Sequence, residues 1–167
     1  DRIVLGIMSG VTGVSIYQVG TRIPEITEKL TTQLQPTLAP VAAELHKEKD
    51  TERLKWILFR SSRITAFVTT GIFVIFLLLS KQILYIWLNV TGEKPNQIAT
   101  IMLVSVYIFV LFKSTSAQFL LMAGKHKVLA ITAIIESIAN ITLSIILIKL
   151  MGVIGVAIGT LIPNIII

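Results

Sequence analysis

The 167-residue chain is 54% hydrophobic, only 14% charged and carries a formal net charge of +6, and its mean hydropathy is +0.84. Soluble domains are about 45–50% apolar and about 25% charged, so this composition excludes an ordinary soluble enzyme and a disordered chain. The chain has no cysteine, which excludes a disulfide scaffold and thiolate metal sites. The composition predicts an all-α, polytopic transmembrane helical bundle.

Uncharged runs separated by turn residues give the spans, since a membrane-crossing helix needs about 20 mostly apolar residues. Gly10 to Gly13 predicts a tight turn between a first, truncated helix and the next one. A charged loop at His46 and turns at Gly92, Lys125 and Gly152 divide the remainder. Both ends fall in apolar runs, so we expect a piece of a longer transporter. The predicted spans are residues 1–10 (truncated), 14–45, 52–88, 96–122, 128–151 and 153–167 (truncated).

The distribution of basic residues predicts the orientation. The His46 and Lys125 loops fall on one side of the membrane, and the turns at Gly10, Gly92 and Gly152 on the other. Basic residues concentrate near the cytoplasmic ends of spans. We therefore expect a cell inner (cytoplasmic) membrane protein with the His46 and Lys125 loops in the cytoplasm. The basic residues on that side are Lys47, Lys49, Arg53, Lys55, Arg60, Arg63, Lys125 and Lys127.

The helix predicted over 14–45 has two different faces. Apolar residues recur every three or four positions on one face, and polar residues do so on the other. A charge at the bilayer centre costs about 2.5–3.5 kcal/mol, so the polar face must meet water, other polar helices or a ligand. Arg22 and Lys29 are both at pairing distance from Glu25, and Pro24 predicts a kink. The polar residues are Gln18, Arg22, Glu25, Lys29 and Gln33, widened by Thr21, Glu28 and Thr32.

Three interpretations of this polar face stay open. It lines a hydrophilic translocation cavity, it forms an ion-pair network that fixes helix packing, or the helix lies in the membrane interface as an amphipathic anchor. Further along, Glu136 and Asn140 predict either a polar seam between helices or a carboxylate that faces the cavity. Lys113 is either a partner for Glu136 or a snorkelling side chain.

Several chemistries have no motif in the chain. It has no glycine-rich phosphate loop followed by Lys-Ser/Thr, no clustered histidines and carboxylates for a metal, and no spacing that suggests a Ser–His–Asp triad. His46 and His126 both lie beside lysines in predicted loops. We therefore expect neither an enzyme nor a cofactor, and no nucleic-acid partner.

Eight segments, in this order, resemble one family. They are Asp1-Arg2-Ile3-Val4-Leu5-Gly6, Gly13-Val14-Ser15-Ile16-Tyr17-Gln18-Val19, Leu38-Ala39-Pro40, Glu44-Leu45, Lys49-Asp50-Thr51-Glu52-Arg53-Leu54, Ile83-Leu84-Tyr85-Ile86-Trp87-Leu88, Gly124-Lys125-His126-Lys127 and Gly152-Val153-Ile154-Gly155-Val156-Ala157-Ile158-Gly159-Thr160. The chain resembles the polysaccharide-transport branch of the multidrug/oligosaccharidyl-lipid/polysaccharide exporter superfamily, the flippases of O-antigen and exopolysaccharide repeat units. The resemblance covers essentially the whole chain.

This resemblance implies part of the C-terminal lobe of a two-lobed helical flippase. It implies that the transporter moves a lipid-linked (undecaprenyl-type) sugar by alternating access while the lipid tail stays in the bilayer. It also allows coupling of transport to an ion gradient. Arg22 and Lys29 suit a phosphate or an anionic sugar, although Glu25 beside Arg22 partly neutralises them. Two alternatives are a drug/cation antiporter of the same superfamily and a membrane-embedded polysaccharide polymerase or ligase.

Overall fold

The computed structural model describes residues 2–33, 40, 44–45, 51–89, 91–122 and 124–166, and these contain helices and no strand. The all-α prediction is confirmed. Among the described residues, Arg2–Thr32, Glu52–Leu88, Glu93–Gln118 and His126–Met151 are long and apolar enough to cross a membrane, which indicates a multi-pass membrane protein. The helices are α1 (Arg2–Thr32), α2 (Thr51–Leu88), α3 (Glu93–Ile108), a π-helical segment (Phe109–Ser114), α4 (Thr115–Met122), α5 (His126–Met151) and α6 (Val153–Ile166).

Helix α1 folds back on itself at Gly10. The backbone there has φ 66° and ψ −170°, whereas helical angles continue through Pro24. In a straight helix Arg2 and Glu25 would lie about 34 Å apart, yet their side chains form an ion pair at 3.0 Å. The predicted chain reversal is therefore present, and glycine supplies the positive φ that it requires.

The helical segments that follow the turns at Gly10, Gly92 and Gly152 pack side by side. Tyr17 of α1, Ile98 of α3 and Val156 of α6 share one buried cluster, and Ile23 packs with Leu84 and Leu103 in a second. In the first cluster Val153, next to the Gly152 turn, packs against the core, and its side chain lies close to Gly13. The turns at Gly10 and Gly152 therefore lie at the same end of the molecule, as the alternation of spans predicts.

The boundaries of α2, α5, α6 and the stretch from α3 to α4 lie within three residues of the sequence prediction, whereas α1 ends at Thr32, inside the helix predicted over 14–45. The predicted spans 52–88 and 153–167 begin within one residue of α2 and α6, whereas α3 begins three residues before the predicted start, at Glu93, and α5 two residues before it, at His126. The helix predicted over 96–122 is present, but its geometry changes from α to π at Phe109–Ser114, which the sequence did not predict. No glycine or proline marks the change; the wider turn carries Lys113, whose ammonium contacts α5 and α6. The predicted loop at 46–50 and most of 34–43 lie outside the described residues.

The part of α1 that follows the reversal at Gly10 and the start of α6 share the same sequence pattern. Gly-Val-x-Gly-Val occupies 10–14 and 152–156, and Gly-Thr-x-Ile-Pro occupies 20–24 and 159–163. The first glycine of each motif has a positive φ, 66° at Gly10 and 63° at Gly152. Pro24 and Pro163 are both fully buried. The structure thus contains two helical hairpins built on one pattern, both packed against α3.

Many large apolar side chains of α2 and α5 point away from the rest of the chain. Phe67 and Ile86 of α2 are 83% and 82% exposed, and Ile138 of α5 is 61% exposed. Exposed apolar surface of this extent is unfavourable in water and favourable in lipid. These surfaces therefore agree with a bundle embedded in a membrane.

Candidate functional site

Helix α1 forms a hairpin whose two arms are the residues before and after Gly10. An open cavity of about 440 Å³ lies between these two arms and α3. Its wall combines charged, hydroxyl and apolar side chains. The arginine comes from the first arm of the hairpin, and the two carboxylates come from the second. We call this space the α1 cavity; it is lined by Arg2, Ile3, Tyr17, Thr21, Pro24, Glu25, Glu28, Met102 and Val106.

Glu25 is the centre of the polar contacts in the α1 cavity. Its Oε1 accepts a hydrogen bond from Arg2 Nη2 at 3.0 Å and one from Thr21 Oγ1 at 3.2 Å. Its Oε2 lies 3.6 Å from Arg22 Nη1. The predicted Arg22–Glu25 pair is therefore present. Glu25 forms no ion pair with Lys29; the second cation is Arg2, which folds back from the start of the chain.

Threonine hydroxyls of α1 near this cavity donate hydrogen bonds to backbone carbonyls of the same helix. Thr27 Oγ1 donates to the Ile23 carbonyl at 2.9 Å, and Thr31 Oγ1 donates to the Thr27 carbonyl at 2.8 Å. Both threonines are buried. Their hydroxyls therefore cost little to bury, and the small side chains allow close packing while the charged residues face outward.

The buried face of α1 differs from the predicted apolar face. Ile23 is 1% exposed, as predicted, but Leu30 is 49% exposed. The contact face instead carries small, hydroxyl and aromatic residues, and it approaches α3 closely at Gly20, where a Cβ would lie 2.7 Å from Ile98 Cβ. Its buried members are Gly13, Tyr17, Gly20, Thr21, Pro24, Thr27 and Thr31.

A second group of polar side chains connects the π-helical segment with α5, α6 and α3. Lys113 Nζ donates to Glu136 Oε1 of α5 at 3.0 Å and to Asn164 Oδ1 of α6 at 3.3 Å. Asn164 Nδ2 in turn donates to Ser105 Oγ of α3 at 2.7 Å. We call these four residues the Lys113 cluster. The side chains of Lys113 and Glu136 are only 20% and 30% exposed, so Lys113 pairs with Glu136 rather than snorkelling to the interface.

Asn140 continues this polar contact between α5 and α6. Its Nδ2 donates to Thr160 Oγ1 at 3.3 Å, and its Oδ1 accepts from Ser144 Oγ at 3.3 Å. Ser144 is fully buried. This arrangement matches the polar-seam interpretation for Asn140, whereas Glu136 also borders open space beside Lys113 and Thr132, in a groove of about 460 Å³.

The predicted site residues thus fall into three groups. Glu25 and Glu28 line the α1 cavity with Arg22 beside them, and Lys113, Glu136 and Asn140 form the contact with α5 and α6. Gln18 is half-buried on α1, whereas Lys29 near the end of α1 and Gln33 directly after it are exposed.

Sequence reasoning missed three polar contributors. Arg2 enters the α1 cavity only because the chain reverses at Gly10, and Tyr17 donates to Met102 Sδ at 3.9 Å. The side chain of Asn164 is an amide within the apolar run of α6. A polar residue in an apolar segment is the sequence feature that could have identified it. Among the described residues, no three histidine, aspartate or glutamate side chains are grouped closely enough to hold a metal ion.

No family model, curated protein or solved structure matches the chain.

Proposed function

We propose that this chain is part of a transporter that flips lipid-linked oligosaccharide or polysaccharide repeat units across the cytoplasmic membrane by alternating access. The α1 cavity is the single observation that carries the proposal. A polar space of about 440 Å³ lies among helices of membrane-spanning length, where ionisable residues are costly unless they serve a pathway or pair with one another.

The cavity chemistry suits an anionic headgroup attached to a sugar. Arg2 and Arg22 approach Glu25 from two sides, so a pyrophosphate can replace the carboxylate as their partner, because guanidinium groups bind phosphate in bidentate fashion. Tyr17 and Thr21 add hydroxyls to the same wall, which suit hydrogen bonds to a sugar. In this mechanism Glu25 holds the arginines in place while the cavity is empty.

A drug/cation antiporter remains the second candidate because of Glu28. This carboxylate lines the cavity and forms no ion pair with any described residue. An acidic group that faces an open polar space can attract a cation or carry a proton. Glu28 therefore favours cation exchange, whereas Arg2 and Arg22 favour an anionic substrate.

The experiment is a deletion and complementation in the source organism. We expect deletion of the gene to cause finished lipid-linked oligosaccharide to accumulate on the cytoplasmic face, and wild-type protein to clear it. Arg2→Gln with Arg22→Gln removes both cations of the cavity and should reduce export at least tenfold at normal protein levels, since each charged hydrogen bond is worth about 1.5–3 kcal/mol.

The matched control is Lys94→Gln with Lys149→Gln. Both lysines are exposed and lie away from the α1 cavity, so the same loss of charge should leave export unchanged. Accumulation of no intermediate, together with greater sensitivity to cationic drugs, would instead support the antiporter. Export that persists in the Arg2/Arg22 variant would remove the cavity from the mechanism.

A further inference from the structure

Helix α2 carries an aromatic and basic surface on the side opposite its contacts with the rest of the chain. Its packed side includes Ser61, Thr65 and Thr69, which are buried. On the opposite side an open groove of about 550 Å³ is lined by aromatic, aliphatic and arginine side chains with no acidic residue among them. We call this the α2 groove; its residues are Trp56, Phe59, Arg60, Arg63, Ile64 and Phe67.

The two arginines of the α2 groove have no acidic partner among the described residues. The Arg60 guanidinium instead lies over the Trp56 ring, 5.1 Å from the ring centroid, which is a cation–π contact. Lys55, on the same helix, does pair with Glu52 at 3.2 Å. The groove therefore presents two positive charges whose electrostatic complement is an anion outside the described chain.

The position of the groove along α2 places it at the edge of the hydrocarbon layer. Residues 64–80 carry no charge and extend about 25 Å as a helix, close to the roughly 30 Å hydrocarbon core. Arg63 precedes this run directly, and Arg60 and Trp56 lie one and two turns further out. Phe67, 83% exposed, lies one turn inside. Arginine and tryptophan are typical of the headgroup level, and phenylalanine of the acyl chains.

We propose that the α2 groove binds an anionic phospholipid of the adjacent leaflet. Arg60 and Arg63 contact the headgroup phosphate, Trp56 holds the Arg60 guanidinium over its ring, and Phe59, Ile64 and Phe67 contact the acyl chains. The occupant is identified by three features: two cations without an acidic partner in the part of the chain that the structure describes, apolar residues immediately deeper in the membrane, and a depth that matches a lipid headgroup. This inference does not depend on the substrate of the proposed transporter.

Lipid quenching of Trp56 fluorescence tests the groove without altering it. Trp87→Phe leaves Trp56 as the single tryptophan, since the chain has two. The protein is reconstituted into phosphatidylcholine vesicles that contain a small fraction of either brominated phosphatidylglycerol or brominated phosphatidylcholine. We expect at least threefold stronger quenching by the anionic lipid. Equal quenching by the two lipids, or no quenching by either because protein covers the groove, would overturn the proposal.

Charge removal provides the second measurement. Arg60→Gln with Arg63→Gln should weaken phosphatidylglycerol binding on the order of tenfold, judged by lipid adducts in native mass spectrometry, because each basic side chain contributes separately to attraction by anionic lipid. The matched control, Lys125→Gln with Lys127→Gln, removes two exposed lysines and should leave binding unchanged. An equal loss in both variants would show a general charge effect. Selective retention of a lipid pyrophosphate over phosphatidylglycerol would assign the groove to substrate instead; either result contradicts the proposal.

Discussion

At the scale of single residues, Glu25 holds the two arms of the α1 hairpin together electrostatically. Its Oε1 bonds Arg2 at 3.0 Å across the reversal. In an Arg22→Gln background, which removes the other cation beside Glu25, Arg2→Glu places two carboxylates together and should destabilise the hairpin, whereas Arg2→Glu with Glu25→Arg restores an opposite-charge pair. The expected recovery is about 0.2–1 kcal/mol, the range of solvent-exposed pairs, because the Arg2 side chain is 58% exposed.

The measurement for this exchange is unfolding in a denaturing detergent, followed by the loss of helical circular dichroism. The control is Glu52→Lys with Lys55→Glu, which exchanges an exposed pair within one helix and should change stability little. If, in the Arg22→Gln background, the double exchange at Arg2 and Glu25 is no more stable than Arg2→Glu alone, the ion pair does not hold the hairpin.

Ion pairs within one helix could be predicted from the sequence, whereas ion pairs between helices could not be decided from it. Arg22–Glu25 follows from three-residue spacing on a helix, and the structure confirms it. The Lys113–Glu136 pair depends on how α5 docks beside the π-helical segment, and no spacing in the sequence specifies that docking. Arg2 was missed for the same reason: its contact with Glu25 exists only after the chain reverses.

At the scale of helices, glycines set the separation between packed elements. A Cβ on Gly20 would lie 2.7 Å from Ile98 Cβ of α3, and one on Gly159 would lie 2.9 Å from the backbone nitrogen of Ser144 in α5. Gly20→Ala and Gly159→Ala should each destabilise the bundle by about 1–3 kcal/mol, because neighbouring helices must move apart. The same detergent unfolding measures the loss.

Gly71→Ala is the matched control for these substitutions. A Cβ on Gly71 meets nothing within 4 Å, and alanine favours a helix over glycine by up to about 1 kcal/mol. We expect the Gly71 variant to be as stable as the wild type or more stable. A loss at Gly71 equal to that at Gly20 and Gly159 would contradict the packing explanation.

The bounds of helices were predicted well where they depend on hydrophobicity alone. Contact faces and changes of helix geometry, which depend on local packing, were predicted poorly. Uncharged runs placed α2 and α5 within a few residues of their observed bounds. The contact face of α1 was missed, because glycine and threonine carry little hydrophobic signal but allow the closest approach. The π-helical segment was missed as well, since no residue in Phe109–Ser114 is a helix breaker.

At the scale of the whole molecule, turns and helix directions determine which side of the membrane each connection faces. The stretch from Glu93 to Met122 extends about 45 Å, longer than the roughly 30 Å hydrocarbon core. We therefore expect its two ends to lie on opposite sides of the membrane. Apart from the basic residues of α1 and Lys113, the described basic residues are more numerous at the Lys125 end: Arg53, Lys55, Arg60, Arg63, Lys125 and Lys127, against Lys81, Lys94 and Lys149 at the other.

The absence of cysteine makes this orientation directly testable. Lys125→Cys and Glu93→Cys each introduce a single thiol at an exposed position. With a membrane-impermeant thiol reagent outside intact spheroplasts, we expect Glu93→Cys to react at once and Lys125→Cys only after permeabilisation, because basic residues favour the cytoplasmic face. The opposite pattern would invert the orientation. Reaction of both thiols before permeabilisation would mean that the stretch from Glu93 to Met122 does not cross the membrane, and the α1 cavity would then lie outside the bilayer.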